Sequence, residues 1–194
     1  MRSEHVSRPT RPFFPASGGT PSATLEQLCR EIDAAFEAAE TAPGASFGQR
    51  VRLALQRAIA GPDLLRPDQR TSNAQAYCRH LLAADPLNRY AIAALVWEPG
   101  QASPVHGHRT WCGYAVIEGT LEETLYRWDP LDHCAVATRR HARAPGAVSY
   151  VDAGRGAIHQ LGNPADATAR AVSLHIYGVA GAQIATHVND LLAA

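Results

Sequence analysis

The spacing of hydrophobic and polar residues changes near residue 75. Between Thr24 and about residue 60, apolar residues recur every three to four positions, which is typical of amphipathic α-helices. Two residue pairs have the spacing of capping boxes, Thr24 with Gln27 and Ser46 with Gln49. We therefore expect the two helices to begin at Thr24 and Ser46. Gly61-Pro62 is expected to end the second helix, at about 47–60. The apolar faces comprise Leu25, Leu28, Cys29, Ile32 and Phe36 in the first helix and Phe47, Val51, Leu55 and Ile59 in the second.

From about residue 76, short apolar runs alternate with Gly, Pro, Asp and Asn every eight to twelve residues, which is typical of β-strands joined by turns. Many short strands at this spacing favour a sandwich or a closed barrel. We therefore expect a mainly β protein: a flexible lead-in at 1–23 and a single domain at 24–194, with a helical part at about 24–75 and a β-barrel at about 76–180. The predicted strands are 76–82, 89–97, 104–108, 112–118, 121–128, 134–138, 147–151, 156–160 and 170–177.

Composition excludes several classes of partner. The 194 residues include 18 basic and 18 acidic side chains, and this zero net charge argues against a nucleic-acid or anionic-membrane partner. No apolar run approaches the roughly 20 residues that span a bilayer. The lead-in has no apolar segment of the kind found in secretory signals, and the four cysteines show no CxxC spacing. We therefore expect a cytoplasmic protein without disulfides.

The stretch "PVHGHR" holds the first candidate for a metal site. If 104–108 is extended, His106 and His108 point to the same side, where two imidazoles can share one cation. On these two residues alone, a pair of surface or hydrogen-bonded histidines explains the pattern equally well.

The stretch "AVSLHIYG" places three polar residues on one face of an apolar strand. Ser173, His175 and Tyr177 alternate with apolar neighbours, and burying them unpaired is costly, so we expect a hydrogen-bonded relay ending at the phenol. A hydrolytic triad is the alternative, but the pattern lacks its acid and its nucleophile elbow. Tyr77 and Arg79 share a face if "AYCRHLL" is extended, although an ordinary surface ion pair also explains Arg79.

The segment "PGQASPVHGHRTWCGYAVIEG" resembles the first motif of the cupin superfamily, a jelly-roll barrel that holds a metal between its sheets. In this resemblance, "GAIHQLGNP" places His159 where the second motif supplies a further ligand. The glutamate of the common first motif is replaced by Cys112 or Gly113, and Glu118 is interpreted as a solvated turn residue. Three neutral imidazoles suit Zn, Fe, Ni or Cu, of which zinc favours hydrolysis and Fe(II) favours dioxygen chemistry.

Five pieces together resemble the thiol dioxygenases of that superfamily: "YCRHLL", "VWEPGQ", "SPVHGH", "IHQLGN" and "SLHIYG". The resemblance covers about half of the chain, from Tyr77 to Tyr177. It implies that Fe(II) is bound by His106, His108 and His159. It also implies that Arg79 grips a substrate carboxylate with Tyr77 beside it, and that Ser173, His175 and Tyr177 form the outer relay. The implied partners are a small thiol and O2, and we expect a monomer or a weak homo-oligomer.

Arginine at position 79 favours L-cysteine as substrate, because the segment after Tyr177 contains no arginine that could replace it. The spacing from His106 to Gly119 and the phrase "DPLNRYAIAALVWEPGQ" instead resemble members that act on 3-mercaptopropionate. We give Arg79 more weight because it would touch the substrate. A non-catalytic metal-binding cupin is the remaining alternative.

Some members of the family carry a cysteine that cross-links to the relay tyrosine. Counting forward from His106 places Gly113 there, whereas counting back from Gly119 places Cys112 there, so the sequence leaves a Cys112–Tyr177 thioether open. The remaining histidines are expected to be solvated or to lie in the lead-in: His5, His80, His133, His141 and His187.

Overall fold

The computed structural model describes residues 21–41 and 46–194. The lead-in predicted at 1–23 therefore lies outside the described residues except for its last three positions. Among the described residues, no helix is both long enough and apolar enough to cross a lipid bilayer.

Two helices precede the strands: α1 (Ala23–Thr41) and α2 (Phe47–Ile59). Ser46 caps α2 as predicted, since its hydroxyl accepts the Gln49 N–H at 3.1 Å. The predicted start of α1 at Thr24 is wrong. The hydroxyl of Ser22 accepts the Leu25 N–H at 3.2 Å, which makes Ser22 the cap, whereas the Thr24 hydroxyl donates to Asp63. The first turn of α1 therefore begins one residue before Thr24.

All nine predicted strands are present, one of them (112–118) with the predicted bounds and the others with shifted ends, and a tenth was missed. The strands β1 to β10 are Cys78–Ala84, Ala91–Trp97, His106–His108, Cys112–Glu118, Leu121–Asp129, Cys134–Arg143, Val148–Val151, Gly154–Gly162, Ala171–Tyr177 and Asn189–Leu191. Two 3₁₀ turns lie between these elements, at Pro67–Arg70 and Gly181–Gln183. The missed strand has only three residues and depends on pairing with β3, so no local alternation marks it.

The strands form two five-stranded antiparallel sheets, ordered β1-β2-β9-β4-β7 and β10-β3-β8-β5-β6. This architecture confirms the prediction of a mainly β, jelly-roll barrel with a small helical segment at its start. Strand β9 lies between β2 and β4 in the first sheet, so strands that are distant in sequence are neighbours there. The late polar residues of β9 are thereby brought beside the first half of the barrel.

The first sheet is covered on both faces, which explains why β2 and β9 are buried along their entire length. Alternate residues of β2 pack either outward against the helices or inward toward the second sheet. Ile92 and Val96 belong to the outer core with Leu28 and Leu55 of the helices. The barrel interior therefore receives the opposite residues of β2, including Trp97.

An ionic cluster joins α1 to the β1–β2 turn. The Arg89 guanidinium donates to Asp85 at 2.6 Å and to Asp33 of α1 at 2.5 Å. Both carboxylates are buried, and the guanidinium carbon lies 4.9 Å from the centre of the Phe36 ring. The cluster fixes the helical layer on the barrel.

Candidate active site

Three histidines converge inside the barrel. Strand β3 supplies His106 and His108, and β8 supplies His159, which lies opposite His106 across the strand pair. One nitrogen of each ring lies within 4.8 Å of the other two, and all three side chains are buried. His106 and His108 are two residues apart on β3 and so face the same side, and a register shift between them places His108 opposite Gly154. The structure thus brings together the three residues that the resemblance suggests as ligands.

In His106 and His108, the ring nitrogen Nδ1 already has a hydrogen-bond partner. Nδ1 of His106 lies 2.8 Å from the Pro104 carbonyl oxygen, and Nδ1 of His108 lies 3.1 Å from that of Ala157. A carbonyl only accepts, so each Nδ1 carries the proton and each Nε2 keeps its lone pair. Burial, with the nearby His159, lowers the pKa of His106 to about 4 and that of His108 to about 3. Neutral rings with free Nε2 lone pairs fit a divalent transition metal.

Glu123 is a buried acid behind this site that the sequence analysis missed. Its Oε1 lies 2.7 Å from Nδ1 of His159, and its Oε2 lies 3.1 Å from Nε2 of His141 and 3.7 Å from Nε of Arg143. Burial alone would raise the pKa of Glu123, but the hydrogen bond with His159 and the charge of Arg143 hold it below its usual value. Alternation in "LEETL" gave a signal, because Glu123 shares the inward face of β5 with the buried Leu121.

The prediction that His141 is solvated is wrong. His141 lies in β6 with its side chain only 25% exposed and contacts Glu123. The predicted strand ended at 138, so the extension of β6 to Arg143 was not foreseen.

The relay residues of β9 are hydrogen-bonded to one another. Ser173 Oγ lies 2.9 Å from His175 Nε2, and Tyr177 Oη lies 3.1 Å from His175 Nδ1. Burial, together with the Arg79 charge, keeps the pKa of His175 well below its ordinary value, so the ring is neutral. Burial, with Cys112 nearby, raises the pKa of Tyr177, so the phenol keeps its proton. The indole N–H of Trp97, which the sequence analysis did not single out, donates to Ser173 Oγ at 2.9 Å.

Arg79 faces the same cavity from β1. Its guanidinium carbon lies 5.9 Å from the ring centre of Tyr77 and 5.8 Å from that of Tyr177, so it is held between the two rings. Nη1 donates to the Ile184 carbonyl at 3.0 Å, whereas the buried Nε has no hydrogen-bond partner within the described chain. A buried, unpaired guanidinium N–H is suited to receive an anionic group.

Cys112, and not Gly113, is on the cavity side of β4. Cys112 lies opposite Tyr177 across the β4–β9 pair. A Cβ added at Gly113 would lie 2.8 Å from Val51 and 3.0 Å from Leu55, so position 113 faces the helices. Burial raises the pKa of Cys112 to about 12, so it remains a thiol.

These residues line one cavity: Tyr77, Arg79, Trp97, His106, His108, Cys112, Tyr114, His159, His175 and Tyr177, together with Leu95, Ser103, Leu161 and Asn189. Within the described part of the chain, this lining contains one guanidinium and no carboxylate. The cavity therefore favours an anionic ligand beside a candidate metal site.

The other residues weighed from the sequence lie outside this cavity. Glu118 is 41% exposed at the end of β4, as expected for a solvated residue, and it pairs with Arg70. His133 and His187 are exposed, whereas His80 is half-buried with Nε2 at 2.7 Å from the Thr71 carbonyl oxygen. His5 lies outside the described residues.

Residues 71–187 match the family model described as cysteine dioxygenase type I, which is more than half of the chain. Among solved structures, the protein TT1209 from Thermus thermophilus is 19% identical, with 59% of this chain and 96% of that chain covered and a TM-score of 0.45. An RmlC-like cupin with a double-stranded β-helix fold from Methanocaldococcus jannaschii is 14% identical, with coverage of 60% and 92% and a TM-score of 0.42. Both TM-scores lie below 0.5, so neither similarity supports an argument about function.

Proposed function

Because the chain belongs to the cysteine dioxygenase type I family, we propose that it is a non-haem Fe(II) enzyme that oxidises the thiol of L-cysteine with O2 to cysteine sulfinate. Membership of this family implies a thiol dioxygenase that uses a metal. Beyond this, we propose that the metal is Fe(II) and that the thiol is L-cysteine. The observation that supports them is one cavity lined by both the three-histidine cluster and Arg79, whose buried Nε has no hydrogen-bond partner within the described chain.

Fe(II) would be held by His106, His108 and His159, each of which offers one ring nitrogen within 4.8 Å of the other two. When bound, it supplies the redox chemistry of dioxygen and lowers the pKa of a coordinated thiol. The three ligands are neutral, so the positive charge of the ion is not cancelled by them. A thiolate substrate would provide compensating negative charge, which favours its binding.

Arg79 would bind the substrate carboxylate. The planar guanidinium presents several N–H donors in a fork that matches a carboxylate, and the rings of Tyr77 and Tyr177 hold its plane in place. The position of the Arg79 guanidinium relative to the three histidines would determine which end of the substrate reaches the metal. The carboxylate end lies at Arg79, and the sulfur end lies at the histidines.

Tyr177 would supply a neutral hydroxyl beside the reacting sulfur. The buried walls exclude water, and a hydrogen bond in such a site is stronger than one made in water. The relay through His175 and Ser173 holds the phenol in position. In the overall reaction both atoms of O2 are added to sulfur, so the oxidation balances without an external reductant.

A second substrate, 3-mercaptopropionate, is favoured by a specific observation. The described residues that line the cavity include no carboxylate to pair with the ammonium of cysteine. Cysteine must therefore bind with its amine neutral, as a metal ligand, whereas 3-mercaptopropionate has no amine to satisfy. The guanidinium of Arg79 serves the carboxylate of either molecule.

Oxygen uptake by the protein reconstituted anaerobically with Fe(II) tests the proposal. We expect thiol-dependent uptake, with one O2 consumed for each sulfinate formed and with L-cysteine giving the highest kcat/KM of the thiols compared. His106→Ala should abolish uptake, and His133→Ala, an exposed histidine, is the matched control. Tightly bound zinc or nickel with no uptake for any thiol would contradict enzymatic activity and favour a non-catalytic metal-binding role. Cytoplasmic location, the absence of nucleic-acid and membrane partners, and a monomeric or weakly associating state stay predictions.

A further inference from the structure

The indole of Trp97 limits how the relay protons can be arranged. An indole N–H donates hydrogen bonds and does not accept them, so Ser173 Oγ must be the acceptor in the 2.9 Å contact with Trp97. Ser173 is fully buried, and the only other hydrogen-bond partner of its hydroxyl within the described chain is His175 Nε2. The serine proton therefore has one acceptor available to it.

This arrangement determines the tautomer of His175. If Ser173 donates to Nε2, that nitrogen carries the lone pair, and a neutral ring then carries its proton on Nδ1. Nδ1 lies 3.1 Å from Tyr177 Oη, so it donates to the phenol oxygen. The Tyr177 proton is then not used within the relay.

The opposite arrangement leaves a different proton without an acceptor. If Tyr177 donated to Nδ1, then Nε2 would carry the ring proton and would donate to Ser173 Oγ. Ser173 would accept from both His175 and Trp97, and its own proton would lack an acceptor in a fully buried site. Within the described chain each direction leaves one hydroxyl proton without an acceptor, but the direction from Trp97 to Tyr177 leaves that of Tyr177, which lines the cavity, whereas Ser173 does not.

We propose that Trp97 is a positioning residue that sets the direction of the Ser173–His175–Tyr177 relay, so that the Tyr177 hydroxyl points its proton into the cavity. Trp97 is itself held firmly. Its ring stacks on Tyr77 with centroids 4.4 Å apart, and its carbonyl accepts from the Asn163 side chain at 3.0 Å.

The role of that proton rests on the proposed function, in which Tyr177 donates to groups at the reacting sulfur. The direction of the relay does not rest on it, because every contact above lies within the chain. The two can therefore be tested separately.

Nitrogen-15 NMR of the histidine rings tests the direction without turnover. In the zinc-loaded protein, with His175→Gln used to assign the signals, we expect His175 to be neutral with its proton on Nδ1. A His175 protonated on Nε2 would overturn the proposal. A protein that shows the expected tautomer but oxidises no thiol would refute the proposed function and leave this inference standing.

Trp97→Phe tests whether the indole N–H is the cause. We expect a mixture of the two His175 tautomers, together with a fall in kcat of about tenfold and little change in KM, since a positioned proton donor contributes to the chemical step. Ser173→Ala should produce the same mixture, and Trp111→Phe, in the aromatic cluster beside Phe47, should leave tautomer and kcat unchanged. An unaltered Nδ1–H tautomer in Trp97→Phe would overturn the role of Trp97. Replacing Trp97 with 3-benzothienylalanine, which exchanges the N–H for sulfur at almost unchanged shape, gives the same two outcomes if the phenylalanine variant does not fold.

Discussion

Cys112 lies directly opposite Tyr177 across the β4–β9 strand pair, with both side chains on the cavity side of the sheet. Side chains of directly opposed residues in an antiparallel pair have Cβ atoms about 5 Å apart. A thioether between Cys112 Sγ and a carbon of the Tyr177 ring would remove the S–H and one ring C–H hydrogen, with O2 as the oxidant. We expect this bond to form when the protein is incubated with Fe(II), thiol and air.

Intact-mass measurement before and after incubation checks this prediction. The incubated protein should be lighter by two hydrogens, and a peptide joining β4 to β9 should appear after digestion. Cys112→Ser and Tyr177→Phe should each abolish the change, whereas Cys78→Ser, a cysteine on β1, should keep it. An unchanged mass with active enzyme would rule out the cross-link.

Much of the candidate site could be predicted from the sequence because side chains alternate between the two faces of a strand. Because residues two apart share a face, Ser173, His175 and Tyr177 were expected to meet, and they form a continuous chain of hydrogen bonds. The same rule predicted that His106 and His108 face one side. Joining either set to His159 or Arg79 required the family resemblance, since the sheet order brings β9 beside β2 and β4 without a local signal.

The missed features depend on contacts between distant strands. Glu123 lies behind His159 only because β5 pairs with β8, and Trp97 reaches Ser173 only because β2 pairs with β9. The choice between Cys112 and Gly113 likewise needed the strand register. The cap of α1 was a local error, because Ser22 and Thr24 are both acceptable caps and only the structure shows which hydroxyl reaches an unpaired N–H.

Removing the Arg79 guanidinium should weaken carboxylate substrates selectively. A charge-assisted hydrogen bond contributes about 2–3 kcal/mol, so Arg79→Ala should lower kcat/KM for L-cysteine by roughly 100-fold, mostly through KM. Arg79→Lys should recover part of this, because it keeps the charge and loses the fork. For 2-aminoethanethiol, which lacks the carboxylate, the wild type and Arg79→Ala should differ little. Steady-state oxygen uptake measures kcat/KM for each protein with each thiol, and equal losses for both thiols in Arg79→Ala would exclude carboxylate binding by Arg79.

Glu123 should strengthen metal binding through His159. A carboxylate that accepts the Nδ1–H of a ligating histidine orients the ring and increases its basicity, and losing such a partner commonly weakens metal affinity by about 10–100-fold. We expect Glu123→Gln to weaken binding of Zn(II) toward the lower end of this range, since the amide oxygen still accepts, and Glu123→Ala toward the upper end. Competition with a chromophoric chelator measures both affinities.

The neighbouring acid provides the control for that experiment. Glu122 precedes Glu123 on β5 but points outward, where it pairs with Arg140 at 3.4 Å and is 38% exposed. Glu122→Gln should leave the zinc affinity unchanged. Equal weakening by the two glutamine variants would show that overall charge, and not the contact with His159, controls affinity.

Arg89 should stabilise the protein by neutralising buried carboxylates. Its side chain is 24% exposed, whereas Asp85 is fully buried, so Arg89→Met would leave Asp85 buried without its cation. Breaking such a pair costs about 2–4 kcal/mol in unfolding free energy, with the lower value appropriate to the partial exposure of the arginine. Arg127→Met, at an exposed pair with Asp129, should change the unfolding free energy far less than Arg89→Met.

The pH dependence of that loss follows from the pKa of Asp85. Burial would raise the pKa of this carboxyl, but the hydrogen bonds and charge of Arg89 hold it below its usual value of 3.8. A pKa that is lower in the folded state than in the unfolded state stabilises the fold above the unfolded pKa, and this stabilisation is lost as the pH falls through the folded pKa. In Arg89→Met, only backbone N–H donors still oppose the effect of burial, so the pKa of Asp85 should rise above its unfolded value and acid should favour the folded variant. The difference in unfolding free energy between the wild type and Arg89→Met, measured by urea denaturation, should therefore be largest near pH 7 and shrink below about pH 5. A difference that stays constant from pH 7 to pH 4 would mean that Arg89 acts through packing on Phe36 and not through its charge.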